Sequence, residues 1–239
     1  MLSVRNLINT TDLTADDITQ ILDTARSMEE INHRTIKKVP ALRGRTIVNL
    51  FLEASTRTRS SFEIAEKRLS ADSLNVQGSS SSVSKGECLE DTIKTLDSYG
   101  VDMFVCRARN AGTAELITHY TDARVINAGD GKHAHPSQAL LDLYTMREHF
   151  GKLEGLKVAI VGDLLHSRVV GSLAPALRTM GAKVMLVGPP TFQLPEPEVF
   201  GAEETYDFDS VIEDADVVYM LRVQLERMEG VQPSLGPHC

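Results

Sequence analysis

The feature that most constrains the fold is an alternation between short apolar segments and amphipathic helical segments. Residues 46–52 form a nearly continuous apolar run of strand length, which is typical of a strand buried on both faces of a sheet. A helical pattern follows from about Arg57, with Phe62, Ala65 and Leu69 on one side. Because a crossover helix returns the chain to the same end of a sheet, this alternation predicts parallel strands.

The alternation continues along the chain. Further strands are predicted at residues 73–76, 103–106, 124–127, 158–161, 183–187 and 217–221. Helices are predicted after a Thr14 cap and at residues 89–99, 113–120, 136–150, 168–180 and 210–214. The polar, glycine-flanked residues 151–157 separate two halves. We therefore expect an α/β protein with two doubly wound parallel-sheet domains, residues 1–150 and residues 151–239.

Charge and cysteine content exclude several classes of function. With 25 Lys and Arg against 33 Asp and Glu, the net charge is −8, which argues against nucleic acid as the main partner. Cys88, Cys106 and Cys239 are odd in number and widely spaced, so we predict no zinc site and no disulfide framework. We expect a reducing, cytoplasmic setting. No signal peptide and no apolar run of about 18 residues is evident, so no membrane association is expected.

The densest polar motif is Ser55-Thr56-Arg57-Thr58-Arg59, between the strand at residues 46–52 and the next helix. Hydroxyl groups, guanidinium groups and free backbone N–H groups at a helix start favour binding of an anion such as phosphate. The alternative is an ordinary capped helix start with solvated arginines. The position after a buried strand favours the anion site, because ligands of parallel sheets bind at the carboxyl ends of strands.

Other polar residues follow predicted strands or begin a helix. Arg107 and Arg222 each lie just after a predicted strand, and Arg168 ends the segment that follows another, although a lone arginine at a strand end is ordinarily a surface residue. The sequence His135-Pro-Ser-Gln138 begins the long helix, where a histidine usually has a structural role. The segment 162–168 lacks the glycines of a dinucleotide-binding loop, so that function is not supported.

Taken together, these motifs identify a resemblance. Ser-Thr-Arg-Thr-Arg at 55–59, His-Pro-x-Gln at 135–138 and Arg-x-Gln at 222–224 resemble the signatures of the aspartate and ornithine carbamoyltransferases. The resemblance extends from about Thr46 to Arg227. Without the resemblance, the serine-rich segment 79–87 has a composition typical of a solvated linker. It is similar, however, to the Ser…Lys-Gly-Glu loop of aspartate carbamoyltransferases, and with the Arg-x-Gln motif it favours aspartate over ornithine.

The resemblance implies transfer of a carbamoyl group from carbamoyl phosphate to the α-amine of L-aspartate, giving N-carbamoyl-L-aspartate and phosphate, the committed step of pyrimidine synthesis. The implied carbamoyl-phosphate ligands are Ser55, Thr56, Arg57, Thr58, Ser81, Lys85, Arg107, His135 and Gln138. The implied aspartate ligands are Lys85, Arg168, Arg222 and Gln224. Arg57, Thr58, Lys85, Arg107 and His135 are the expected catalytic residues, with His135 as an electrophile. The chemistry implied requires neither a metal nor an organic cofactor.

The resemblance also implies an assembly. In the family the Ser81 and Lys85 loop reaches a neighbouring subunit, so a homotrimer with shared active sites is expected. Regulatory or dihydroorotase subunits are possible partners that the sequence leaves open. Similarity fades after about Gly230, where family members continue. We therefore expect an incomplete second domain, with a catalytically silent anion-binding relative or an ornithine-type enzyme as the alternatives.

Overall fold

The computed structural model describes residues 2–77 and 88–224. Its helices are α1 (Ala15–His33), α2 (Thr56–Leu69), α3 (Leu89–Asp97), α4 (Thr113–Thr118), α5 (Pro136–Phe150), α6 (Val170–Thr179) and α7 (Asp209–Ile212). Its strands are β1 (Thr46–Phe51), β2 (Asp72–Gln77), β3 (Met103–Ala108), β4 (Arg124–Asp130), β5 (Lys157–Val161), β6 (Lys183–Val187), β7 (Glu203–Thr205) and β8 (Val217–Met220). Short 3-10 helices lie at Thr10–Asp12, Pro190–Phe192 and Pro197–Phe200.

The first sheet contains four parallel strands in the order β2-β1-β3-β4. From β1 the chain moves outward to β2 and then returns to the other side of β1 to form β3. The strand order therefore reverses between β1 and β3. In open parallel sheets a reversal of this kind leaves a crevice at the carboxyl ends of the two strands, where ligands bind.

The second sheet repeats this design. Its parallel strands have the order β7-β6-β5-β8, and the reversal lies between β5 and β8. The segments that leave these two strands begin at Gly162 and Leu221. Each sheet therefore presents one crevice, built from the segments that follow the two strands between which its order reverses.

A single hydrophobic cluster joins the two halves of the chain. Ile18 and Leu22 of α1 and Leu143 of α5 belong to the same buried cluster as Ile160 of β5 and Leu173 of α6. All five are at most 1 % exposed. Helix α1 begins as its sequence predicts, because Thr14 and Asp17 exchange the two hydrogen bonds of a capping box. Helix α5 contacts strand β4 of the first sheet and also belongs to this cluster. Its amino-terminal residues therefore lie near both sheets.

The α/β class with two parallel sheets is confirmed, while several predicted boundaries are wrong. Strand β3 continues to Ala108, so Arg107 lies within the strand and not after it. Helix α6 begins at Val170, which leaves Arg168 in the preceding loop. Strand β7 was not predicted, because its sequence Glu-Glu-Thr lacks the apolar pattern of a strand. No helix within the described residues is long and apolar enough to cross a membrane.

Candidate active site

The amino terminus of helix α2 forms the first part of the site. The helix begins at Thr56, and the side chain of Ser55 makes no capping hydrogen bond to it. The first backbone N–H groups of a helix have no partner within the helix, and together with the helix dipole they attract anions. Arg57 is exposed in this first turn, and within residues 2–77 and 88–224 it has no hydrogen-bonded or ionic partner. Both features are suited to binding a phosphate group.

Arg107 lies at the centre of the second part of the site. Its Nη1 atom is 3.4 Å from Thr58 Oγ1, 3.4 Å from His135 Nε2 and 3.2 Å from the carbonyl oxygen of Ala128. The two contacts of 3.4 Å are long for hydrogen bonds, so Arg107 Nη1 keeps the capacity to donate to an oxygen atom placed beside it. Burial, and then the charge of Arg168, lower the pKa of Arg107, although a guanidinium stays protonated in proteins.

Glu53 neutralises two of the arginines. Its Oε1 atom accepts hydrogen bonds from Arg107 Nε at 3.0 Å and from Arg168 Nη2 at 2.8 Å. Glu53 follows β1, whereas Arg168 follows β5 of the second sheet, so one carboxylate connects the crevices of both sheets. Glu53 was not predicted from the sequence. Its only signal was its position between a buried strand and the anion motif.

Arg168 keeps unsatisfied donors that face the first sheet. The residue is 3 % exposed, yet its Nε and Nη1 atoms have no hydrogen-bond partner among the described residues. A Cβ atom built on Gly129, where φ is +115°, would lie 2.7 Å from Arg168 Nη1 and 3.2 Å from Arg107 Nη1. Both guanidinium groups therefore converge on this glycine. Buried donors without partners are costly, which indicates a site prepared for an anionic ligand.

The start of helix α5 is fixed from both sides. The backbone N–H of His135 donates to Ser172 Oγ of α6 at 3.0 Å, and Ser172 Oγ donates to Asn9 Oδ1 at 2.8 Å. These contacts hold His135, which is 7 % exposed, next to Arg107. Gln138 follows in the first turn of α5 and donates through Nε2 to Asp142 Oδ1 at 2.9 Å. Neither Ser172 nor Asp142 was identified from the sequence.

The segment after β8 is held by a buried carboxylate. Asp163 has no exposed surface; its Oδ2 atom accepts from the backbone N–H of Gln224 at 2.8 Å. Its Oδ1 atom contacts His166 Nδ1 at 2.8 Å. The side chain of Gln224 is buried and donates to the carbonyl oxygen of Arg222 at 3.1 Å. Arg222 itself is exposed, so its side chain is accessible to a ligand.

Most sequence-predicted site residues fall into three structural groups. Thr58, Arg107, His135 and Arg168 are brought together around Glu53 and Gly129. Ser55, Thr56 and Arg57 lie at the adjoining helix start, and Arg222 and Gln224 follow β8. Ser81 and Lys85 lie outside the described residues. Among the described residues, no group of three His, Cys, Asp or Glu side chains is arranged to hold a metal ion.

Comparison with known proteins identifies the family. Residues 5–148 match the carbamoyl-phosphate-binding domain of the aspartate/ornithine carbamoyltransferases. The chain belongs to this family. It is 54 % identical to the aspartate carbamoyltransferase catalytic subunit of Pelotomaculum thermopropionicum, over 98 % of this chain and 76 % of that protein. The catalytic subunit of Thermobifida fusca is 53 % identical, over 94 % of this chain and 72 % of the relative.

Solved structures of aspartate transcarbamoylases share the fold. The Trypanosoma cruzi enzyme in complex with carbamoyl phosphate superposes with a TM-score of 0.87 at 33 % identity, covering 95 % of this chain and 74 % of the other. The catalytic subunit from M. jannaschii gives a TM-score of 0.83 at 39 % identity, covering 94 % of this chain and 76 % of the other. All four of these proteins are named as aspartate carbamoyltransferases or aspartate transcarbamoylases.

Proposed function

We propose that this chain transfers the carbamoyl group of carbamoyl phosphate to the α-amine of L-aspartate, with N-carbamoyl-L-aspartate and phosphate as products. The observation that carries the proposal is the convergence of Thr58, Arg107 and His135 beside Arg168, with Glu53 connecting the two arginines. Both substrates are anions, so a chain of net charge −8 has to concentrate positive charge locally to bind them.

Carbamoyl phosphate is assigned to the crevice of the first sheet, within residues 1–150. The α2 N-terminus with Ser55, Thr56 and Arg57 binds the phosphate group, and Gln138 contacts the carbamoyl amino group. As the amine attacks the carbamoyl carbon, negative charge grows on the carbonyl oxygen. Donors already positioned around that oxygen stabilise the transition state more than the ground state. Thr58, Arg107 and His135 are these donors.

Aspartate is assigned to the crevice of the second sheet, within residues 151–239. Two carboxylates require two cationic partners, and Arg168 and Arg222 follow β5 and β8, the two strands between which the strand order reverses. The unsatisfied Nε and Nη1 atoms of Arg168 supply one pair of donors for a carboxylate. The neutral α-amine then lies near the carbamoyl carbon, so positioning contributes much of the rate. The α-amine is itself the nucleophile, and the departing phosphate accepts its proton, so neither a protein nucleophile nor a protein base is needed.

The direct test is an assay of carbamoyl-aspartate formation by this chain, with L-ornithine as the competing acceptor. We expect product with aspartate and none above background with ornithine. Turnover of ornithine in preference to aspartate would contradict the assignment of the second substrate. Tight binding of N-(phosphonacetyl)-L-aspartate without turnover would contradict the proposed activity and support a silent relative.

Separate variants should divide the two binding roles. We expect Arg57→Ala to raise the KM for carbamoyl phosphate about 10- to 100-fold, because a charge-assisted phosphate contact is lost. Arg222→Ala should raise the KM for aspartate by a similar factor, with little effect on the KM for carbamoyl phosphate. Arg68→Ala, in the last turn of the same helix α2, is the control and should change neither constant. Steady-state kinetics showing the reverse pattern would refute the division.

The proposal includes a homotrimer in which Ser81 and Lys85 complete a neighbour's site, on the strength of the family resemblance of their loop. Arg57→Ala and Lys85→Ala chains, assayed at a carbamoyl phosphate concentration where each alone has little activity, should regain about a quarter of wild-type activity when mixed. In a statistical mixture about three quarters of the rings contain both chains, and each such ring has one intact site of three. Mixtures that stay inactive after verified subunit exchange would exclude shared sites.

A further inference from the structure

Asp142 is a partly buried carboxylate behind Gln138 on helix α5. Its Oδ1 atom accepts from Gln138 Nε2 at 2.9 Å, and its Oδ2 atom accepts from the hydroxyl of Tyr219 at 2.9 Å. Tyr219 belongs to β8 of the second sheet, so the carboxylate connects the first turn of α5 with the strand that precedes Arg222. The proposed mechanism uses Gln138 but leaves Asp142 without a role.

The two ends of the Gln138 amide are chemically opposite, and Asp142 distinguishes between them. A carboxylate only accepts hydrogen bonds, so the NH₂ end of the amide has to face Asp142. The Oε1 end then points the other way, and among the described residues no donor meets it. Gln138 lies one helical turn after His135, on the same side of α5. The free oxygen is therefore available on the side of the helix that carries His135.

We infer that Asp142 is a positioning residue, which fixes the Gln138 amide so that Oε1 accepts a hydrogen bond from the amino group of carbamoyl phosphate. The inference rests on the proposed function, because it needs Gln138 to contact that substrate. An amide turned the other way would place NH₂ against NH₂. One neutral hydrogen bond would be lost, and binding of carbamoyl phosphate would weaken about fivefold.

The protonation of Asp142 provides an independent readout. Burial raises the pKa of Asp142 to about 6, against the opposing effect of the hydrogen bonds from Gln138 and Tyr219. Burial and the charge of Asp142 in turn raise the pKa of Tyr219, so this facing group stays neutral. Charged groups on the elements packed against α5 have other partners: Asp23 with Arg147, Arg26 with Glu148, Asp130 with His133, and Arg168 with Glu53.

The protonation state of Asp142 determines whether the Gln138 amide is held in one orientation. Above about pH 6 Asp142 is a carboxylate and only accepts, so the amide is held in one orientation. As the pH falls through about 6, the protonated acid also donates, and Gln138 Oε1 can turn toward it. The orientation of the amide is then no longer fixed. Selectivity for the substrate amino group is therefore expected at neutral pH and should decline below pH 6.

Acetyl phosphate isolates this contact, because it replaces the amino group of carbamoyl phosphate with a methyl group of similar size. The measured quantity is the ratio of the inhibition constant of acetyl phosphate to the dissociation constant of carbamoyl phosphate. Both ligands carry the same phosphate group, so its ionisation cancels in the ratio. We expect Asp142→Asn to lower this ratio about fivefold at pH 8. The inhibition constant of inorganic phosphate should be unchanged in Asp142→Asn. The control variant Asp209→Asn, at an exposed position, should change neither the ratio nor this constant.

Two further measurements separate the possible outcomes. Gln138→Ala should also lower the ratio, and an unchanged ratio in that variant would remove Gln138 from the proposed site. A lowered ratio in Gln138→Ala but not in Asp142→Asn would overturn the positioning role alone. If Asp142→Asn does not fold, the ratio of the wild-type chain between pH 8 and pH 5.5 decides. A decline through about pH 6 supports the role, and a constant ratio overturns it.

Discussion

We expect Arg107→Ala to lower kcat for carbamoyl-aspartate formation by about 10²–10³-fold, the range for losing one donor to a developing oxyanion. Arg107 Nη1 lies between Thr58 Oγ1 and His135 Nε2, and it is the permanent charge among the three proposed donors. Its guanidinium is held by Glu53 and by the carbonyl oxygen of Ala128, so it is oriented before substrate arrives. The fixed charge then costs little reorganisation at the moment of reaction.

The measurement is kcat at saturating concentrations of both substrates, which separates the chemical step from binding. Arg109→Ala is the matched control, because Arg109 is an exposed arginine only two positions along the chain. Arg107→Lys should recover part of the loss, since it restores the charge without the paired N–H groups. A kcat of Arg107→Ala within threefold of wild type would remove Arg107 from the transition state.

The second large effect is expected in stability. Glu53→Ala removes the carboxylate that neutralises Arg107 and Arg168, whose side chains are 13 % and 4 % exposed. Two like charges would then remain close together with little access to water. Breaking a buried ion pair by removing one partner costs about 3–5 kcal/mol. Because the Glu53 side chain is 20 % exposed, we expect the lower end, about 3 kcal/mol, or a fall in Tm of roughly 6–12 °C.

Thermal unfolding without ligands is the measurement, followed by the same experiment in phosphate buffer. We expect phosphate to restore part of the lost stability of Glu53→Ala, because an anion replaces the missing negative charge. Glu63→Ala removes a partly exposed carboxylate that pairs with the exposed Lys67 on helix α2, and its Tm should match wild type. Equal melting temperatures for Glu53→Ala and Glu63→Ala would show that the arginines do not need Glu53.

Much of the fold and of the anion site could be predicted from local patterns. Alternating strand and helix patterns predicted parallel sheets, and the Ser-Thr-Arg-Thr-Arg motif lies at the α2 N-terminus as expected. Strand β7 was missed because a short edge strand with two glutamates carries no apolar signal. The extension of β3 through Arg107 was missed because an arginine directly after an apolar run is typical of a loop that follows a strand. Its side chain is partly buried only because Glu53 neutralises it.

Glu53 and Asp142 could not be predicted for a different reason. Glu53 meets arginines that lie 54 and 115 residues later in the chain, and Asp142 meets a tyrosine 77 residues later. None of these spacings leaves a periodic trace, since each pair joins elements that lie far apart in the sequence. The roles of Ser81 and Lys85, the trimer and the cytoplasmic setting stay predictions of the sequence.

The sequence by itself determined which chemistry the chain carries. Residue types at strand ends and helix starts are local properties, and the family motifs preserve their order along the chain. Only the tertiary structure decided which charges neutralise one another and which donors remain unsatisfied. That depends on burial and on distances of a few ångströms between segments far apart in sequence, because the strength of an electrostatic contact follows from separation and solvent access.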